Sequence, residues 1–239
     1  MGRFVYVECL VRADMGALWE LTQAPDQHQR WDLRFTEIDY LQRADGEPQW
    51  FRYAIRLLPG LVITGAGVTA GDRLDPDDRT SALRFASAHP LSPIRSGSGY
   101  WRYVQTPDGV RFLTRYGYRP GWGRAVDLVF RPLIGWATAW SFDRLRLWLE
   151  TGKTPERSLW QALAEVCVRV LVTATAAALA PSAAAVLVAA LAVLLPPLPG
   201  TPAARRCLRR PTSHPTRRPT CRQPEPRAAK APLPELETR

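Results

Sequence analysis

Lysine is nearly missing from this chain of 239 residues: of its 32 basic residues only Lys153 and Lys230 are lysines. Alanine, proline and leucine are abundant beside the arginines, the mark of GC-rich coding, so the arginine count carries no functional weight. Cysteine is scarce. Cys9, Cys167, Cys207 and Cys221 form no CxxC and no metal spacing, and they build no disulfide framework. A reducing, cytoplasmic setting is the expectation. Histidine occurs three times, with no HExxH, HxxxH or CxH, so neither a zinc site nor a Rieske centre is expected. A nucleophile-elbow serine and a glycine-rich phosphate loop are both absent. Glu8 and Arg12 interrupt the apolar opening, so no secretory signal is expected. The net charge of +10 is uneven, +3 over residues 1–157 and +7 over residues 200–239. A near-balanced folded part lacks the basic face that nucleic acid requires, so no nucleic-acid partner is expected.

Charge is also missing from the 35 residues Val170–Ala204. A soluble core helix has no need of such a run, whereas a bilayer does. Pro181-Ser182 divides it, and proline punctuates helices. The preferred reading is a membrane segment over 156–199 folded as a helical hairpin with arms at about 163–180 and 183–198. Such arms are roughly 24–27 Å long at 1.5 Å per residue, short for a hydrocarbon core of about 30 Å. One proline-kinked span of about 22 residues is the alternative, and an apolar helical pair docked on the domain or a partner is another. The arginines from Arg205 to Arg218 should stay cytoplasmic. A hairpin keeps domain and tail on that side, whereas a single span would need the domain exported. Glu165 and Arg169 are spaced to pair at the interfacial end of the first arm. Residues 200–239 are rich in Pro, Arg and Thr and lack aromatics, which predicts a disordered tail.

Residues 1–155 read as one α+β domain. Period-two runs mark strands at Phe4–Val11, Arg34–Leu41, Gln49–Leu58, Leu61–Leu74, Ser81–Ala88, Gly99–Thr106 and Val110–Arg119. Asp14 is placed to cap a short helix containing Leu18, Trp19 and Leu21, and Asp26–Arg30 reads as a polar turn. The Gly65-Ala66-Gly67 stretch predicts a bulge or bend. After Arg119-Pro120-Gly121 the period turns helical as far as Gly152, with Pro132 expected to kink or restart that helix. A curved antiparallel sheet of about seven strands around one long helix leaves a cavity lined from both sides. Its candidate lining is Tyr40, Phe51 and Tyr53, then Phe112, Thr114 and Tyr116, with Trp136 and Trp140 from the helix.

The strand leading into Ala13-Asp14-Met15-Gly16-Ala17-Leu18-Trp19, the segment Pro25-Asp26-Gln27-His28-Gln29-Arg30-Trp31 and the late Tyr116-Gly117-Tyr118-Arg119-Pro120-Gly121-Trp122-Gly123 resemble the START-like, or SRPBCC, superfamily. So does the helix holding Arg131-Pro132-Leu133-Ile134-Gly135-Trp136. The superfamily includes polyketide cyclases, coenzyme-Q-binding proteins and lipid-transfer domains. The resemblance spans about residues 3–152 and implies a helix-grip fold with a cavity for a lipid, isoprenoid or polyketide-like ligand; the uncharged run beyond it is expected to add transmembrane helices. The resemblance does not imply a reaction; the lack of ligand motifs leads to the expectation of no metal and no cofactor. His28 and His89 read as solvated surface histidines, and Asp75-Pro76-Asp77-Asp78 as a turn, not a calcium loop. The expected function is a membrane-anchored domain that carries a hydrophobic small molecule at the cytoplasmic face of the cell membrane, its partners that molecule and the bilayer. The alternatives are a cyclase- or dehydrase-like enzyme on a membrane-associated apolar substrate, and a scaffold that binds no ligand.

Overall fold

The computed structural model describes residues 4–42, 47–179 and 183–211. Its domain is a seven-stranded, curved antiparallel sheet gripping a long helix, the helix-grip arrangement. Strand β1 (Val5–Val11) leads into α1 (Met15–Gln23) and α2 (Pro25–Trp31). A meander follows: β2 (Glu37–Tyr40), β3 (Trp50–Leu58), β4 (Leu61–Leu74), β5 (Asp78–Ala86), β6 (Ile94–Thr106) and β7 (Gly109–Pro120). The strand order is β1-β7-β6-β5-β4-β3-β2, so the first strand pairs with the last and β1 and β2 are the edges. Asp14 caps α1 as its type demands, its Oδ1 accepting from the amides of Gly16 at 2.7 Å and Ala17 at 3.0 Å. The expected polar turn at Asp26–Arg30 is instead the helix α2, started by Pro25 at its first position, where a proline's missing N–H costs nothing.

Helix α3 (Gly123–Thr151) packs against β1 and β7 and ends at Gly152, whose φ of 70° is the left-handed stop that glycine permits. Pro132 neither breaks nor restarts it. The core lies between α3, α1, α2 and the β1–β7–β6 side of the sheet. Phe112 and Phe142 stack at 4.3 Å, with Trp31, Leu18, Val7 and Leu145 fully buried around them.

No bulge falls at Gly65–Gly67; the register shifts in the pairing of β4 lie between Arg56 and Leu58 on the β3 side and between Thr69 and Gly71 on the β5 side. The glycines serve another purpose. Gly65 pairs directly with Tyr53, Gly67 with Phe51, Gly97 with Phe85 and Gly99 with Tyr116. A Cβ on any of them would lie 2.2–2.4 Å from the paired aromatic side chain. Phe51, Tyr53 and Phe85 therefore lie against bare backbone, whereas Tyr116, whose Cβ is what meets Gly99, reaches across to Thr138 on α3.

Helix α4 (Pro155–Leu179) and helix α5 (Ala183–Leu194) form an antiparallel pair. The first turns of α4 belong to the domain's packing: Ser158 is fully buried, and Leu159 and Ala162 lie against the core. Further on, the pair is exposed, with Val170, Leu171, Val186, Leu187 and Val193 among its bare apolar side chains. Among the described residues one helix, Pro155–Ala178, is long and apolar enough to cross a membrane, and α5 is shorter.

Residues 200–211 correct the expectation of disorder. Thr201, Ala203, Ala204 and Cys207 are buried, and Leu208 exchanges both backbone hydrogen bonds with Glu8 on the edge strand β1. Asp143 on α3, fully buried, accepts from the Ala203 amide at 2.8 Å and from Arg206 at 2.9 Å. Here a short apolar stretch repays its ordering by covering α3 and an exposed sheet edge. The rest of the expected tail, 212–239, lies outside the described residues.

Candidate functional site

A cavity opens between the sheet and α3. Its walls come from β2 to β7, from α1 and α2, from Ser92 and Pro93 just before β6 and from Phe130 and Ile134 on α3. The centre of a water-sized sphere can move through about 150 Å³ of it. One water needs roughly 10–15 Å³ on that measure, so the space suits on the order of ten water-sized groups. A ring system or a short branched chain fits, and a whole two-chain phospholipid does not.

Of the residues singled out from sequence, Tyr40, Phe51, Tyr53, Thr114 and Tyr116 line this cavity. Phe112 and Trp140 lie in the core, Phe112 sealed beneath Phe142 and Trp140 beside the Arg144 guanidinium. Trp136 is exposed on the outer side of α3. The helical contribution comes from Phe130 and Ile134 instead, because the stripe of α3 that faces the sheet passes through 130, 134 and 138. Thr138 there hydrogen-bonds Tyr116 Oη at 3.1 Å.

The polar part of the wall comes from residues that period-two and helical patterns do not flag. His28 is not a solvated histidine. Its ring stacks on Trp31 at 4.9 Å, meets Trp101 edge-on and lines the cavity. Nε2 lies 3.1 Å from Oδ2 of Asp32, which is itself 1% exposed. Arg34 completes the cluster: its Nε lies 2.9 Å from Asp32 Oδ1, and its guanidinium sits over the Tyr116 and Phe35 rings. The Asp32 side chain folds back on the amide of Arg34 as well, a short-range turn that sets both side chains inward. Leu33 N bonds Ser141 Oγ on α3, which fixes this turn against the helix.

Burial and the ion pair together set the charges. Desolvation lowers the His28 pKa and outweighs the pull of Asp32 in the other direction, so the imidazole is neutral. For Asp32, burial alone would raise the pKa, but the Arg34 charge and hydrogen bonds hold the carboxyl well below the usual range. Arg34 is likewise pushed down by burial and, more strongly, up by Asp32 and Tyr116. The corner is thus an ion pair of zero net charge beside a neutral imidazole. At the α1 side, Tyr103 Oη meets Thr22 Oγ1 at 2.7 Å and Gln23 Nε2 at 3.1 Å, and burial raises the Tyr103 phenol above its ordinary value. Burial lifts Tyr53 to about 12. Among the described residues no three His, Cys, Asp or Glu side chains gather as metal ligands.

No family model matches the chain. A curated relative, the "Uncharacterized membrane protein YndG" of Bacillus subtilis (strain 168), is 48% identical over 165 residues, covering 66% of this chain. The chain spans 62% of that relative's length. Among solved structures, the di-domain ARO/CYC StfQ of the steffimycin biosynthetic pathway aligns with a TM-score of 0.46 at 14% identity, over 60% of this chain and 48% of its own. The Zhui aromatase/cyclase of Streptomyces sp. R1128 aligns at 0.41 and 18%, over 53% and 73%. Ara h 8.0201 aligns at 0.48 and 9%, over 62% and 98%.

Proposed function

We propose that this chain is a membrane-attached binding domain that takes up one small apolar molecule, or the end of a longer one, carrying a hydrogen-bond acceptor. The observation that carries the reading is the cavity itself, apolar over most of its wall and polar at the His28–Asp32–Arg34 corner. Pockets that bind small molecules have this composition, apolar walls with a few placed polar groups that orient the ligand. Because the corner carries no net charge, it favours a neutral carbonyl or hydroxyl end over a carboxylate. The exposed α4–α5 pair attaches the domain to the bilayer from which such a molecule is drawn, and the relative's description as a membrane protein supports that attachment. Both ends of the pair return to the domain, which keeps the domain and residues 200–211 on one side, the cytoplasmic side by the arginine excess.

The test is native mass spectrometry of the full chain released from nonionic micelles, beside the cavity-filling variant Leu83→Trp. Wild type should hold one apolar adduct, retained from cells or taken up from a panel of isoprenoid quinones, long-chain alcohols and polycyclic aromatics, and Leu83→Trp should hold none. A bare wild-type chain across the whole panel sinks the proposal.

A cyclase- or dehydrase-like activity is the second reading, favoured by one observation: a neutral imidazole oriented by a carboxylate is the pairing a general base requires. An enolisable diketone held in the cavity should exchange its α-protons faster with wild type than with His28→Gln. Equal rates dismiss this reading.

A further inference from the structure

The last charged groups of the α4–α5 pair, Glu165 and Arg169, lie at one level with the end of α5. Arg169, in the middle of α4, donates to the carbonyls of Ala192 at 2.6 Å, Leu195 at 2.8 Å and Pro196 at 3.0 Å. Those are carbonyls at and just past the end of α5, which have no partner within the helix and stand at its negative dipole end. Glu165, one turn back, pairs with Arg169 at 2.6 Å and accepts from the Leu198 amide at 3.3 Å. Just below, Lys153 Nζ holds Gln161 Oε1 at 2.6 Å and the Gly200 carbonyl at 2.9 Å. From Val170 to Leu195 the pair carries no charge at all.

Length then decides how far it can reach. From Arg169 to the end of α4 at Leu179 is ten residues, and α5 has twelve. At 1.5 Å per residue these extend about 15–18 Å beyond the polar level. A hydrocarbon core is about 30 Å thick, so the apolar part reaches its middle and no further. If α4 crossed the bilayer with its whole length, Glu165 and Arg169 would lie near the centre, where ionised side chains are least tolerated, and α5 could not make the return crossing. Both ends of the pair are also fixed to the same domain, through Leu159 and Ala162 on one side and Asp143, Glu8 and Lys153 on the other.

We infer that α4 and α5 form a re-entrant hairpin that enters one leaflet from the domain's side and turns back near the midplane, with Glu165 and Arg169 at headgroup level. The occupant of its bare apolar faces is the acyl region of that leaflet. This rests on the membrane attachment proposed above and replaces the two full crossings implied by the word transmembrane.

The test uses the full chain with Cys167→Ser and Cys221→Ser, Cys9 and Cys207 being buried. A single probe cysteine is introduced as Ala183→Cys at the inner end of α5 or as Val193→Cys at its outer end, both exposed. Leu187→Cys, also exposed, serves as an intermediate site should Ala183→Cys not fold. The chain is reconstituted into phosphatidylcholine–phosphatidylglycerol vesicles and labelled with a fluorophore, which is quenched by nitroxides placed at different acyl depths. The Ala183 probe should be quenched best from the acyl ends and the Val193 probe from the headgroup level. An impermeant maleimide should reach Ala183→Cys from neither face. Labelling from the face opposite the domain means a crossing and overturns the inference while leaving membrane attachment intact. Equal headgroup-level quenching at both sites means a surface-lying pair and also overturns it. A chain that stays in the aqueous fraction overturns this inference and the attachment together.

Discussion

Removing the Asp32 carboxylate strands a charge, and the size of the resulting loss separates an electrostatic corner from ordinary packing. In Asp32→Ala the Arg34 guanidinium, 13% exposed, keeps its place over Tyr116 and Phe35 with no counter-charge, and His28 loses its partner. Breaking a buried pair from one side costs about 3–5 kcal/mol. That is a large part of the roughly 5–15 kcal/mol that holds a domain together. At about 2–4 °C per kcal/mol for a chain of this size, the Tm should fall by on the order of 10 °C. The double variant Asp32→Ala/Arg34→Leu removes the stranded charge as well, and exchanging a whole buried pair for apolar groups is often neutral or better. The double variant should therefore be more stable than Asp32→Ala alone, by about 2 kcal/mol or more. Urea unfolding of the full chain in mild detergent, followed by tryptophan fluorescence, measures all the corners of this cycle. If the double variant loses the sum of the two single losses, the pair has no electrostatic coupling, and the proposal that this polar corner orients a ligand loses its physical basis.

Other expectations follow from the same structure. His28 has its pKa lowered by burial, so the folded chain binds fewer protons than the unfolded one in mild acid. Its contribution is complete above the unfolded value of about 6.5 and declines as the pH falls from there towards the folded value. The wild-type Tm should then drop between pH 7 and pH 5 and His28→Gln should flatten that slope; an unchanged slope means that His28 titrates alike in both states. Gly67→Ala sets a Cβ 2.2 Å from the Phe51 ring, which must swing into the cavity. The expected cost is about 1–3 kcal/mol of overpacking together with loss of the bound adduct in native mass spectrometry, and a variant that keeps both stability and adduct contradicts the packing described. The Glu8–Leu208 pair places Cys9 directly opposite Cys207, with both thiols buried. Treatment with a diazenedicarboxamide, whose N=N bond takes up the two protons and two electrons given up by the thiols to become a hydrazine, should yield a Cys9–Cys207 disulfide in peptide mapping. Its absence, with Cys167 oxidised instead, means that residues 200–208 do not lie where they are placed. Asp143→Ala removes the acceptor of Ala203 N and Arg206, and tryptic cleavage at Arg205 and Arg206 should accelerate severalfold while the strands stay protected.

The sheet was legible because each strand buries one face. Phe51, Tyr53 and Ile55 against Arg52 and Arg56 alternate cleanly, and the observed β3 runs Trp50–Leu58. The end of α3 at Gly152 was legible for a similarly local reason, a glycine where the chain turns left-handed. The polar corner was not. His28 sits in the stretch Asp26-Gln27-His28-Gln29-Arg30, which looks solvated by composition, and only the packing of α2 under Trp101 buries it. Asp32 and Arg34 lie two apart in a linking segment, where such a pair is usually a surface turn. One signal was available, the flanking aromatics Trp31 and Phe35, which cannot both be buried without drawing in what lies between them. Trp136 and Trp140 misled because a four-residue spacing shows a shared helix face without showing which face meets the sheet. Residues 200–208 were missed because their composition is that of a flexible chain, and their order comes from a sheet edge and a buried aspartate elsewhere in the sequence.

Helix α2 touches both the cavity and the first turn of α4. Its His28 lines the cavity, and Trp31 anchors it in the core through a 2.9 Å bond from Nε1 to the Leu21 carbonyl. Between them, Arg30 lies 4.6 Å over the Trp148 ring on α3 and pairs at 2.8 Å with Glu156 in the first turn of α4. The ion pair is half exposed and by itself worth little, whereas the stacking on Trp148 holds the guanidinium in place. On the re-entrant reading proposed above, a hairpin moving with its leaflet would pull on the same seven-residue helix that sets one wall of the cavity. Arg30→Ala should leave the fold intact, since the contact is peripheral, and should loosen α2 relative to α4. Hydrogen exchange on the full chain in vesicles reads this directly, with faster exchange expected across Pro25–Trp31 and no change in β6 or β7. Unchanged exchange in α2 would show that the two ends of the molecule, bilayer and cavity, are mechanically independent.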